Sequence, residues 1–174
     1  MKTNYLEKIQ KGMRAFQILF KIIMIFQYVG IALTSIAAML VATDVLNNGN
    51  KFLNFVEVAA EINKEQIVGS LVATAIYLLF LCILSTFTYR YFTLELKEGT
   101  PFTSIGADKV KQLGIITIVI SLISTWIIDI IYEMINISEG NRFDDAGGIV
   151  FGIFLILLST VIRYGAELEQ EKKI

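Results

Sequence analysis

The sequence predicts an all-α, polytopic membrane protein, a bundle of four transmembrane helices. Apolar residues make up 55% of its 174 residues, it has one proline, and its mean hydropathy is positive, a composition typical of membrane proteins. A hydrocarbon core about 30 Å thick requires about 20 apolar residues per crossing helix. Four stretches meet this requirement and form a single membrane domain over 1–174: residues 16–42, 67–89, 113–135 and 147–164. Because peptide groups in a bilayer must bond internally, such continuous runs predict helices rather than barrel strands.

Lysine and arginine positions predict the orientation. All 15 of these residues except Lys51, Lys64 and Arg142 lie near the N-terminus, in the loop 90–112 or near the C-terminus. Since cytoplasmic segments are enriched in Lys and Arg, we expect both termini and the loop 90–112 in the cytoplasm of a cell-membrane protein. The outer loops, 43–66 and 136–146, are then acidic, and the basic inner face should attract anionic lipids.

The N-terminal segment and the first outer loop have amphipathic patterns. Leu6, Ile9, Met13 and Phe16 recur at helical spacing, which predicts a helix lying in the inner interface before it turns into the first span. Apolar residues within 52–62 likewise predict a short helix on the outer surface. The apolar run that follows the N-terminal segment is too long for a signal peptide and is expected to be retained.

The second span contains Gly69 and Ala73, four residues apart, and the chain's single cysteine, Cys82. Small residues at this spacing favour close helix packing, as do Gly30, Thr34 and Ala38 in the first span. One cysteine excludes an internal disulfide and a cysteine-based metal cluster.

The cytoplasmic loop should end one helix and begin another. Gly99 and Pro101 disfavour continuation of the second helix, and Thr103 or Ser104 can cap the next. The structural interpretation is an elbow between two helices; the functional interpretation is a docking surface for another protein. The candidate docking residues are Glu98, Gly99, Pro101, Phe102, Arg163 and Tyr164.

The third span carries a polar stripe at i+4 steps, formed by Thr117, Ser121, Thr125 and Asp129. Hydroxyl groups on such a stripe usually bond a backbone carbonyl or a neighbouring helix. An intramembrane carboxylate is a candidate functional group, but Asp129 lies only about 8 Å from the outer end of the span. It is therefore either a wet residue near the interface or a protonatable or cation-binding site.

The fourth span begins with the motif Gly148-x-x-x-Gly152, which suits packing within the bundle and a homodimer equally. At its inner end Arg163 and Tyr164 suit the headgroup region, as Arg90 and Tyr91 do at the end of the second span. An i,i+4 pair between Arg163 and Glu167 is expected to support the helix there.

These motifs carry a family resemblance. The stretch Leu96–Thr103, the segment Lys111–Gly114 leading into a span, and Val161–Leu168 at the end of the last span resemble the YoaS-like bacterial membrane proteins, a family of unknown function. The resemblance covers roughly residues 70–170. It implies a four-span inner-membrane protein that acts with a small helix-turn-helix transcription regulator.

Enzymatic chemistry has little support in the sequence. The chain has no histidine, one cysteine, no G-x-S-x-G motif and no phosphate-binding loop, so neither a catalytic group nor a cofactor, metal or direct nucleic-acid site is expected. We expect a non-catalytic membrane partner in signalling or transcriptional control. The alternatives are a small transporter, which would depend on Asp129, or an immunity protein that binds membrane-active peptides through its acidic outer loops.

Overall fold

The protein forms four α-helices. The structure, a computed structural model, describes residues 2–43, 63–98, 103–136 and 146–171. The helices are α1 (Lys2–Ala42), α2 (Lys64–Glu98), α3 (Ser104–Met134) and α4 (Ala146–Glu171). Each contains one of the four apolar stretches, that of α3 without its last residue, Ile135, and each is long and apolar enough to cross a membrane. The prediction of an all-α, multi-pass membrane protein is confirmed to this extent.

Helix α1 differs from expectation because it is continuous over 41 residues. The amphipathic N-terminal segment runs directly into the apolar stretch with no turn between them. The sequence contains no proline here, and a lone glycine, Gly12, costs a helix only about 1 kcal/mol relative to alanine. The short helix expected in the first outer loop lies outside the described residues.

The described residues form two compact units. Unit 1 comprises the described residues within 1–25, 82–122 and 145–174, and unit 2 comprises those within 26–81 and 123–144. Each unit has its own buried apolar cluster. The cluster of unit 1 is centred on Val110, Leu113 and Leu155, and that of unit 2 on Ala73, Ile128 and Tyr132.

In unit 1, α3 and α4 touch through glycines. A Cβ atom at Gly114 would lie 2.7 Å from the backbone oxygen of Gly152, and one at Gly152 would lie 2.8 Å from the backbone oxygen of Gly114. Both residues are buried. This contact brings the two backbones together, so Gly152 of the predicted G-x-x-x-G motif packs within the chain.

Helix α1 joins unit 1 through aromatic and polar contacts with α2. The rings of Phe16 and Phe20 stack on Phe92, with centroids 5.6 and 5.9 Å apart. Beside them, the Gln17 side-chain amide donates a 2.9 Å hydrogen bond to the Thr93 hydroxyl. Stacked aromatic pairs and interhelical hydrogen bonds are general ways of joining helices in a membrane.

In unit 2, α2 packs on α3 through Gly69 and Ala73. A Cβ atom at Gly69 would lie 2.5 Å from the Ile135 side chain, and Ala73 is buried against Ile128 and Tyr132. Thus the predicted small-residue surface of the second span lies at a helix contact. In the first span, a Cβ atom at Gly30 would lie 3.0 Å from Leu78.

Candidate functional site

The N-terminal end of α3, which follows the predicted elbow, is fixed by a helix cap. The backbone N–H of Gly106 donates a 2.9 Å hydrogen bond to the Thr103 hydroxyl, and the N–H of Ala107 donates to the Thr103 carbonyl at 3.0 Å. Thr103 is therefore the N-cap residue, as expected for a threonine before a helix. The preceding helix, α2, ends at Glu98; the predicted break at Gly99 and Pro101 lies outside the described residues.

A buried carboxyl group lies next to this cap. Glu95 of α2 is 1% exposed, and a Cβ atom at Gly106 would collide with its Oε1 atom. The absence of a side chain at position 106 thus makes room for the carboxyl group. Sequence reasoning missed this arrangement because it assigned Glu95 to a cytoplasmic loop. The available signal was the apolar pattern Tyr91, Phe92 and Leu94, which continues α2 beyond Arg90.

Arg163 connects the end of α4 with the start of α3. Its guanidinium forms an ion pair and hydrogen bond with the Asp108 carboxylate, so it pairs with a neighbouring helix and not with Glu167 as expected. An Arg followed four residues later by Glu is the less favourable order for a pair within one helix. The next residue, Tyr164, is 63% exposed and is available for contact.

Two clefts open among these helix ends in unit 1. The larger, about 250 Å³, lies between α2 and α3 and includes Arg90, Lys109 and Gln112 in its lining. The smaller, about 170 Å³, lies between α3 and α4 beside the Arg163–Asp108 pair and includes Lys111. Cationic side chains therefore line both clefts, which suits an anionic ligand or an acidic partner surface.

The candidate docking residues are described only in part. Gly99, Pro101 and Phe102 lie outside the described residues, as does the side chain of Glu98, although its backbone ends α2. The helix ends on both sides of the elbow, the cap at Thr103 and Arg163 all belong to unit 1. The docking role of these residues stays a prediction.

The polar stripe of α3 is buried at one end and half-buried at the other. In unit 1, Thr117 and Ser121 are buried, and the Thr117 hydroxyl donates a 2.8 Å hydrogen bond to the Leu113 carbonyl. In unit 2, Thr125 and Asp129 are half-buried. The Thr117 bond is the backbone contact expected of a hydroxyl that serves packing. A role for Asp129 in proton or cation binding stays a hypothesis.

Within the described parts of the chain, no group of three or more His, Cys, Asp or Glu side chains could hold a metal ion. Cys82 is a buried free thiol.

The fold defines a class, the multi-pass α-helical membrane proteins. Comparison with protein-family models, curated proteins and solved structures gives no match to this chain. The resemblance to the YoaS-like proteins therefore stays a prediction.

Proposed function

We propose that this protein is a non-catalytic cell-membrane protein that uses the cytoplasmic end of unit 1 to bind a soluble partner. The Arg163–Asp108 contact is the observation that carries the proposal. It joins the end of α4 to the first turns of α3, five residues beyond the Thr103 cap. The two sequence segments expected to dock a partner thus belong to neighbouring helix ends. Both termini are then cytoplasmic, as the distribution of lysine and arginine predicts.

The exposed residues at these helix ends suit a protein partner. Tyr164 and Ile105 are 63% and 57% exposed, and Lys109 and Lys111 are exposed on the turns of α3 that follow Ile105. An exposed aromatic and an exposed aliphatic side chain among cations resemble the centre and rim of a protein interface. The partner that the YoaS-like resemblance implies is a small helix-turn-helix regulator, which would dock through an acidic surface.

Photo-crosslinking in cells tests this proposal. A photoreactive amino acid is placed at position 105 or 164, and as a control at Trp126, an exposed aromatic residue further along α3. We expect a soluble protein to be crosslinked from positions 105 and 164 and not from position 126. The Pro101→Ala, Phe102→Ala double variant should weaken both crosslinks. Identical products from all three positions, or none from 105 and 164, would contradict partner binding at this end.

The orientation has its own test. Replacing Cys82 with serine gives a cysteine-free chain, into which one cysteine is introduced at Lys97 or at Lys51. We expect a membrane-impermeant maleimide to label position 51 from outside intact cells and position 97 only after the cells are opened. The reverse pattern would place the proposed docking end outside the cell and exclude a cytoplasmic partner.

A further inference from the structure

The larger cleft of unit 1 combines cationic and apolar walls. It has a volume of about 250 Å³ and lies between α2 and α3. Its polar lining includes Arg90, Lys109 and Gln112, and its apolar lining includes Phe87, Leu94 and Ile116. A ligand that fits both parts must itself carry an anionic and an apolar portion.

The polar side of the cleft has the donors that a phosphate group requires. Arg90 and Lys109 are exposed, and among the described residues no carboxylate forms an ion pair with either side chain. The Lys109 ammonium donates to the Gln112 side-chain oxygen at 3.3 Å, a bond that does not use the Gln112 N–H₂ group. Guanidinium and ammonium groups are the usual protein ligands of phosphate oxygens, through charge-assisted hydrogen bonds.

Phe87 and Ile116 lie deeper in the apolar stretches than the two cations, whereas Leu94 lies about one turn beyond Arg90, outside the second stretch. Arg90 directly follows the second apolar stretch, and Phe87 lies about one helical turn inside that stretch. On α3, Lys109 precedes the third apolar stretch, and Ile116 lies about two turns further on, within it. Both helices therefore pass from a cation to an apolar residue in the direction that leads into the membrane. This is the order of headgroup and acyl chain in a phospholipid.

The volume suits a ligand of which only a part is enclosed. At about 250 Å³ the cleft is below the roughly 300–1,000 Å³ usual for sites that enclose a whole drug-sized ligand. It has room for a headgroup phosphate and the first part of an acyl chain, while the remainder of the lipid stays in the bilayer. Basic pockets between transmembrane helices on the cytoplasmic side are known sites for anionic lipid headgroups.

We propose that the α2–α3 cleft of unit 1 binds the phosphate of an anionic phospholipid, with Arg90 and Lys109 as its cationic ligands and Phe87 and Ile116 against its acyl chain. The site goes beyond the general attraction of a basic surface for an anionic bilayer, because it requires two particular cations on two helices. It is also independent of partner binding through Tyr164 and Ile105.

The test compares two variants with the same change in net charge. The cleft variant is Arg90→Gln with Lys109→Gln; the control is Lys8→Gln with Lys97→Gln, which removes two exposed cations that line neither cleft. Each protein is reconstituted in phosphatidylcholine nanodiscs containing a small fraction of phosphatidylglycerol. Retained lipids are then counted by native mass spectrometry. We expect the cleft variant to bind phosphatidylglycerol about tenfold more weakly than wild type and the control to bind like wild type.

Two further arms keep the result interpretable. A photoactivatable phosphatidylglycerol bound to the wild-type protein should label peptides containing 87–94 and 109–116, a readout that does not depend on whether a variant folds. In a competition experiment, inorganic phosphate should not displace the lipid. The variant Ile116→Ser should weaken lipid binding, because Ile116 is proposed to contact the acyl chain. The proposal is overturned if both charge variants lose lipid equally or if the photoactivatable lipid labels other peptides. It is also overturned if inorganic phosphate displaces the lipid and Ile116→Ser has no effect.

Discussion

Unit 1 and unit 2 use the same packing device but differ in what surrounds it. In both units a glycine lets helices approach closely: Gly114 in unit 1 and Gly69 in unit 2. In unit 1 two of the three nearest atoms belong to the backbone of another helix, whereas in unit 2 all three belong to the Ile135 side chain. Unit 1 also contains the buried Glu95 and the two clefts lined by cations. Small residues thus lie at helix contacts in both units, whereas the two cation-lined clefts lie in unit 1.

The largest expected effect is a loss of stability on substituting Gly114, the glycine of the unit 1 contact. In Gly114→Ala the new methyl group would lie 2.7 Å from the Gly152 carbonyl oxygen and 3.1 Å from the Ile156 backbone nitrogen. Because neither backbone atom can move without moving its helix, we expect the free energy of unfolding to fall by about 3 kcal/mol, the upper part of the usual range for overpacking. Unfolding in mixed micelles, followed by circular dichroism, measures this loss.

Two other glycines serve as controls. For Gly69→Ala the nearest atoms all belong to the Ile135 side chain, which can shift without moving a helix backbone, so a loss of about 1 kcal/mol is expected. Gly12→Ala meets no atom within 4 Å and should be neutral or stabilise by about 0.5–1 kcal/mol. If Gly114→Ala costs no more than Gly69→Ala, the backbone contact in unit 1 is not the tighter of the two.

The second prediction concerns the buried carboxyl group of unit 1. Gly106→Ala places a methyl group against the Glu95 carboxylate, and we expect a loss of about 1–3 kcal/mol in the free energy of unfolding. In a Glu95→Ala background the same change should cost at least about 1 kcal/mol less, because the colliding carboxylate is gone. A double-mutant cycle measures the difference. Strictly additive losses would show that the two positions do not interact.

The third prediction tests the aromatic contact of α1 with α2 in unit 1. Phe92→Ala removes the stacking partner of both Phe16 and Phe20, which should cost about 1–2 kcal/mol. The matched control is Phe151→Ala on α4, which removes a stacked pair with Phe154 between two exposed rings of one helix. The control should stay within about 0.5 kcal/mol of wild type. Equal losses would mean that the contact with α1 adds nothing to unit 1.

The smallest effect is expected for the ion pair. The Arg163 and Asp108 side chains are 47% and 61% exposed, so solvent screens their attraction. A double-mutant cycle with Arg163→Ala and Asp108→Ala should give a coupling energy of about 0.2–1 kcal/mol, decreasing as salt is raised. The pair then positions the end of α4 more than it stabilises the fold. A coupling above about 2 kcal/mol that is insensitive to salt would contradict this assignment.

The sequence predicted those features that depend on a single segment. Four apolar runs predicted the four helices, and the spacing of small residues indicated the contact surfaces at Gly69 and Gly152. The Thr103 cap also depends only on local chain geometry. In each case the required information lies within a few turns of one helix.

Features that depend on which helix faces meet were not predictable from one sequence. Three such features join residues from different helices: the contact of Gly114 with Gly152, the burial of Glu95 beside Gly106, and the ion pair of Arg163 with Asp108. Helical periodicity gives the faces of one helix but not the identity of the neighbouring helix. The candidate site was therefore predicted as segments of sequence, whereas its clefts required the fold.

The unequal apolar lengths of α1 and α4 determine how the protein responds to bilayer thickness. At about 1.5 Å per residue, the apolar stretch 16–42 of the continuous helix α1 extends about 40 Å, and the stretch 147–164 of α4 extends about 27 Å. Against a hydrocarbon core of about 30 Å, the first is too long and the second slightly too short. A positive and a negative hydrophobic mismatch thus occur in one chain, each costing fractions of a kcal/mol per Å. A thicker membrane relieves the mismatch of α1 and increases that of α4, which favours membranes of intermediate thickness.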